Sequence, residues 1–244
     1  MDGNIKVPAF HGFSEDAFKF FKGLRKNNTR EWFQPRKEIY ETQVRAVMED
    51  LAGDLNHEFA KFAPLYITEP KKAVFRIYRD TRFSKNKTPY KTHVAASFSR
   101  QGMEKLAAAG YYVSVSDTEI EIGGGLYMSE TAALRAVRTH IADSHDRFAK
   151  IVGNKKLVAS MGTLHGDALT RVPKGFDPDH ECAAWLRMKQ WLFFKTLDGG
   201  EWMRKPALFK EVATSFQLIA PLIEFLNEPL VKAARKPSAA EMMF

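Results

Sequence analysis

The sequence predicts an α+β fold in a single domain: a mainly antiparallel sheet connected by hairpins and flanked by helices, with amphipathic helices at both ends. Three observations carry this reading. Apolar residues recur at helical spacing through the first sixty residues, the apolar period changes to two beyond Pro64, and a last helical stripe begins at Leu208. The domain is expected to span residues 8–231, with 232–244 as a loose tail.

Each element has its own local reason. Ser14 is placed to cap a first helix, with Glu15 and Asp16 at the positive end of its dipole and Phe18, Phe21 and Leu24 as its apolar stripe. "NNTR" (27–30) reads as a turn in which Asn28 or Thr29 caps the next helix. Pro35 then falls in the first turn of that helix's main part, and Tyr40, Val44, Val47, Leu51 and Leu55 form its inward face. Residues 73–78 and 91–99 read as two strands. Thr92, Val94, Ala96 and Phe98 make the apolar face of the second; Lys91, His93, Ala95 and Ser97 make a small, polar one. "YYVSVSDTEIEI" (111–122) reads as a tight hairpin that "GGG" (123–125) ends, and Ser129 is placed to cap a helix reaching about His140. Residues 164–181 read as loop, 181–190 as helical and 191–196 as extended. Leu208, Val212, Phe216, Ile219 and Ile223 mark the last helix, bent near Pro221.

Composition sets outer bounds. The chain has 244 residues, 45% of them apolar and 27% charged, which suits a globular protein with a sizeable core. No apolar run approaches the roughly 18 residues of a membrane span, and "MDGNIKVPAF" lacks the pattern of a secretory signal. Cys182 is the only cysteine, so no disulfide framework or cysteine-based zinc site is expected. These features point to a cytoplasmic protein with no membrane partner. They set neither an oligomeric state nor a cofactor.

The charge is unevenly placed. Lys71, Lys72, Arg76, Arg79, Arg82, Lys85, Lys87 and Lys91 lie within residues 71–93, where Asp80 is the only acid. That stretch carries +7 of the chain's total of +8. A local patch of this kind implies an anionic partner. If 73–78 and 91–99 pair, residues 79–90 form a twelve-residue connection, a length usually associated with function or disorder. Phe83 and Tyr90 are expected to pin it.

The chemistry follows from residue types. Arginine forks and lysine ammonium groups suit phosphate or carboxylate, which makes Arg76, Arg79, Arg82, Lys87 and Lys91, with Tyr90, the expected binding set. Arg30 or Lys174 would close such a site. Asp80, alone among cations, would orient the arginines or, as a catalytic candidate, act as a base with a depressed pKa. His93 shares a face with Lys91 above small residues and is the first candidate for acid–base chemistry.

The stretch "FRIYRDTRFSKNKTPYKTH" (75–93) resembles the signature of a widespread bacterial and fungal family known as domain of unknown function 2461. "NNTREWF" (27–33), "GGGLYM" (123–128), "RVPKGFDPDH" (171–180) and "PLIEFLN" (221–227) resemble that family in order and spacing, over most of residues 10–228. Pro35 departs from it, interrupting what would be an unbroken helix. The resemblance implies no activity and no catalytic residues.

The remaining motifs are weaker. "GGGLYMSE" lacks the Gly-Lys-Ser/Thr ending of a P-loop, and Glu130 would oppose a phosphate there, so the glycines read as permitting a bend and a close backbone approach. Asp177, Asp179 and His180 have no further ligand at zinc spacing, so no metal site is expected. His140 and His145 do not share a helical face, and no Cys–His pair or nucleophile elbow stands out. The favoured reading is a basic pocket, centred on residues 76–93, for a phosphorylated or carboxylated small molecule, an enzyme or not. The alternative is a nucleic-acid-binding module in which Tyr78, Phe83 and Tyr90 stack on bases. A third is a scaffold for an acidic protein.

Overall fold

A computed structural model describes residues 10–104, 107–127 and 130–234. The Ser129 cap and the tail from residue 235 onward lie outside the described residues.

The first helix, α1 (Glu15–Lys26), begins as the sequence dictates: the Ser14 side chain accepts from the Ala17 amide at 3.2 Å. Its buried face is Ala17, Phe20, Phe21 and Leu24, so Phe20 takes the inward place expected of Phe18. Arg204 instead lies over the Phe18 ring.

The second helical segment is more broken than its stripe suggests. It runs through α2 (Arg30–Phe33), a 3₁₀ turn at Gln34–Arg36, α3 (Lys37–Ile39), a π turn at Tyr40–Arg45 and α4 (Ala46–Phe62). Thr29, not Asn28, caps α2 by accepting from Trp32 N at 3.3 Å. Pro35 has no N–H to donate, and the chain tightens there into the 3₁₀ turn. The wider π turn then spaces the inward residues as Tyr40, Val44 and Met48, which displaces Val47 from the expected face.

Past a 3₁₀ turn at Pro64–Tyr66 and α5 (Pro70–Ala73), the expected first strand is reduced to two isolated antiparallel bridges, Val74↔Ala96 and Tyr78↔Tyr90. Between them one chain advances from 74 to 78 while its partner covers 90 to 96, so the second chain bulges by two residues. Thr92 and His93 form the bend, and only β1 (Val94–Phe98) is regular strand. Both faces of β1 are buried, Ala95 and Ser97 included, so the open polar face expected over residues 91–97 is closed.

The hairpin is β2 (Gly110–Val115) and β3 (Glu119–Leu126), turned where Ser116 bonds Glu119 through backbone and hydroxyl. Contrary to expectation, β3 continues through the three glycines. Gly125 has φ +131°, and a Cβ there would lie 2.0 Å from the Trp191 carbonyl oxygen, which is the close approach the glycines were expected to permit. The helices α6 (Thr131–Asp143), α7 (His145–Val152) and α8 (Lys155–Met161) follow. The helical signal near 181–190 shrinks to α9 (Ala183–Leu186). Then come β4 (Trp191–Asp198), α10 (Gly199–Trp202) and the long α11 (Ala207–Ala234), which contains both Pro221 and Pro229.

The strands form one antiparallel sheet in the order β1-β2-β3-β4, and the class is α+β. Packing divides the chain into two compact units. Among the described residues, one comprises residues 10–98 with Tyr112–Ile122 and Thr196–Thr214; the other comprises Ser99–Tyr111, Gly123–Lys195 and residues 215–234. In the first, Phe21, Leu24, Phe33, Val44, Leu51 and Phe59 are buried, and Phe59 lies 4.9 Å from Phe98 of β1. In the second, Phe148 lies between Trp185 (5.0 Å) and Phe225 (5.2 Å). Among the described residues no helix is long and apolar enough to cross a membrane.

Candidate functional site

The basic stretch forms a hairpin loop, and its base is built first. Across the Tyr78↔Tyr90 bridge, Arg79 N donates to Pro89 O at 2.9 Å and Lys91 N to Ile77 O at 2.8 Å. The far side of Tyr90 is held by a side chain. Asn28 Nδ2 donates to Tyr90 O at 2.9 Å, and its Oδ1 accepts from Tyr90 N at 3.0 Å. One amide thus substitutes for a neighbouring strand. Asn28 serves the loop rather than the helix it was expected to cap.

The Tyr90 ring is core, not ligand surface. It is buried and stacks on Phe33 at 4.2 Å with 22° between planes, and Tyr78 lies 5.4 Å away. Tyr90 therefore pins the loop as expected, but its ring offers no face for a base. The Tyr78 ring is about half exposed beside it. Phe83, the other expected pin, does the opposite: it is 95% exposed at the tip.

Above the base the loop is braced by its own polar groups. Arg79 donates to the Thr88 hydroxyl and to Thr88 O, Lys87 donates to Thr81 O at 2.9 Å, and Asn86 Oδ1 accepts from both N and Oγ1 of Thr88. Arg82 forks onto Asp80, with Nη2 to Oδ2 at 2.7 Å and Nε to Oδ1 at 3.1 Å. Lys91 lies over the Phe75 ring at 5.0 Å.

These contacts divide the predicted binding residues into two kinds. Arg79, Arg82 and Lys87 hold the loop. The side chains of Arg30 and Arg76, and that of Lys85, a loop cation outside the predicted set, are exposed and make no hydrogen bond or ion pair with the described residues. Arg30 opens α2 and acts on the Tyr90 hydroxyl, opposing the rise that burial gives its pKa. Arg76 stands two residues before Tyr78 and helps to lower the pKa of Asp80.

Asp80 behaves as an organiser. Its bonds from the Arg82 side chain and backbone hold its pKa down at about 2, leaving it a weak base. His93 sits on the two-residue bend rather than on a strand face. Burial lowers its pKa, Lys91 and Arg25 push the same way, and Glu119 opposes them. Burial thus favours the neutral imidazole. Bulges re-aim side chains in this manner beside sites.

Two features had no signal in the sequence. The π turn at Tyr40–Arg45 leaves Tyr40 buried 5.7 Å from Phe33, its pKa raised to about 12 mainly by burial. Its periodicity is indistinguishable from an α-helix until the register of Met48 is known. In the second unit, Cys182 Sγ lies 3.1 Å from His180 Nδ1, a Cys–His pair that the i, i+2 spacing does not announce. The thiol is buried and burial raises its pKa, so it is no activated nucleophile. Lys174 belongs to this second unit, exposed and without a partner among the described residues. No group of three or more His, Cys, Asp or Glu among the described residues is arranged to hold a metal ion.

The model of a family described as "Conserved hypothetical protein (DUF2461)" matches residues 16–225. No curated protein matches the sequence.

Proposed function

Because the chain belongs to the conserved hypothetical protein family DUF2461, whose description assigns no chemistry, we propose its role from geometry: the braced hairpin binds a small molecule bearing a phosphate or carboxylate group. Arg30 and Arg76 are the groups that meet the anion, beside the exposed part of Tyr78. The reading is carried by the division of the cations. A loop whose own arginines and lysine fix its shape, while neighbouring guanidiniums donate to none of the described residues, is pre-organised for an oxyanion. His93 is the acid–base candidate of this unit, and Asp80 positions Arg82.

A screen of phosphorylated and carboxylated metabolites by thermal unfolding tests this. A ligand at about 100 times its dissociation constant stabilises the fold by roughly 2.7 kcal/mol. For a chain of this size, that raises the melting temperature by about 5–10 °C. The shift is expected to vanish in Arg76→Ala and to survive in Lys71→Ala, which removes the same charge. No shift with any anion, or equal loss in both variants, contradicts the proposal.

One observation favours a second reading. Phe83 is 95% exposed, and the guanidinium of Arg82, fixed by Asp80, lies 5.7 Å above its ring, leaving the other face open for a base. If Arg30, Arg76 and Lys85 each meet a phosphate of a single strand, affinity is expected to fall roughly 20-fold between 50 and 200 mM salt. Absence of binding at low salt removes this alternative.

A further inference from the structure

The second unit contains an arginine with an unmet charge. Arg138 lies on the inward face of α6 between Val137 and Ile141 and is 7% exposed. Its Nη2 donates to Met188 O at 2.8 Å, while its buried Nε makes no hydrogen bond. No carboxylate among the described residues pairs with it. Burial alone lowers its pKa, with no acid raising it in return. A buried guanidinium served by one neutral carbonyl is costly, and such groups are ordinarily matched by an anion.

The surroundings supply more cations. Arg135, three residues earlier on α6, is exposed and without a partner among the described residues, and its Nη2 rests where a Cβ on Gly175 would stand 3.3 Å away. Gly175 closes the Pro173–Lys174–Gly175 turn at φ +95°, so the turn can lie against that guanidinium, and it carries the unpartnered Lys174. We infer that Arg138, Arg135 and the Lys174 turn form a second oxyanion site, distinct from the hairpin loop, in which a phosphate or carboxylate group accepts from the Arg138 Nε–H. This gives "RVPKGFDPDH" a role that the hairpin does not supply: a rigid turn set against an arginine helix.

The test uses the full chain, the side-chain ¹H–¹⁵N signals of its arginines and two probes, inorganic phosphate and acetate. The Arg138 Nε–H is assigned through its bonds to the Arg138 backbone, so no variant at the buried position is needed. The site predicts a saturable shift of that signal with at least one probe, and phosphate against acetate separates a tetrahedral from a planar preference. Arg135→Ala is expected to weaken the titration by about tenfold or more, as loss of one charge-assisted hydrogen bond implies. An Arg30→Ala/Arg76→Ala double variant should leave it unchanged, so this site and the hairpin proposal can fail separately. A signal unmoved by either anion means that Nε–H is served by buried water only and overturns the inference. A shift that survives Arg135→Ala at full affinity, or that disappears in the folded Arg30→Ala/Arg76→Ala protein, also overturns it.

Discussion

The connection from Tyr78 to Tyr90 and the longer one through residues 164–190 are closed alike at their bases and filled differently. Each base is a set of isolated antiparallel bridges: Tyr78↔Tyr90 in one, His165↔Leu192 and Ala168↔Met188 in the other. Within 164–190 the chain then folds back onto its own unit. Cys182, Leu186 and Met188 are buried, and Trp185 packs on Phe148. Of residues 79–89, none is buried. Ordering a residue costs about 1–2 kcal/mol in backbone entropy, and the second connection offsets that by removing apolar surface from water. The hairpin has only polar braces to set against it. A segment that keeps a defined shape without a core of its own is where a binding role is to be sought.

The largest effect that probes this contrast is core truncation in the longer connection. Leu186→Ala is expected to cost about 2–5 kcal/mol in urea unfolding, whereas Phe83→Ala, at a solvated tip, should leave stability unchanged. A comparable loss at Phe83 would mean that the tip is covered and the contrast false.

The asparagine clamps come next. Asn28 holds both backbone groups of Tyr90, and in the second unit Asn227 does the same for Ala109, at 2.8 and 2.9 Å. Alanine at either position strands a pair of backbone groups and is expected to cost about 1–3 kcal/mol, with amide exchange at Tyr90 or Ala109 accelerating accordingly. Clamps that prove dispensable would leave the hairpin base held by its ring stack and the backbone bonds of the Tyr78↔Tyr90 bridge.

A smaller effect is set by pH. Burial holds the folded pKa of His93 and of His140 below the ordinary value of 6.5. In both cases the neutral form is favoured by folding. Their contribution is therefore complete above pH 6.5 and is lost as pH falls through the lower folded values. Melting temperature measured from about pH 7 downward should decline, and His93→Gln should flatten the decline that belongs to the first unit. An unchanged profile in His93→Gln would place that imidazole in solvent.

The smallest effect is expected at Asp80. Asp80→Asn removes the fork to Arg82 on a solvated tip, so stability should not change measurably while affinity for the anion weakens. Unaltered affinity would detach Asp80 and Arg82 from the site.

Much of this was legible in the sequence, for identifiable reasons. Ser14, the hairpin at 111–122, the last helical stripe and the close approach at Gly125 follow from local chemistry and periodicity. Three things were not. A π turn alters helical register by one residue without changing residue types, so Met48 and Val47 could not be ranked. A two-residue bulge moves His93 off the strand face that period-two counting assigns to it. The use of a charge is invisible too. Arg79 bonds Thr88, nine residues on, while the Arg76 side chain makes no hydrogen bond among the described residues, and only the closed loop distinguishes them. Tyr90 was misplaced for the same reason, because its stacking partner Phe33 is remote in sequence.

The central claim is that the hairpin's cations are of two kinds, braces and free donors, and one measurement separates them. Two double variants, Arg30→Ala/Arg76→Ala and Arg79→Ala/Lys87→Ala, lower the net charge equally and can be melted with and without the anion that gives the largest shift in the wild-type chain. The first pair should keep the unliganded melting temperature and lose the anion-dependent rise. The second should accelerate amide exchange across residues 79–89 while retaining part of that rise. Equal loss of the rise in both pairs with unaltered exchange, or full retention in the first, would mean that the charges act only as a diffuse patch and would contradict the account.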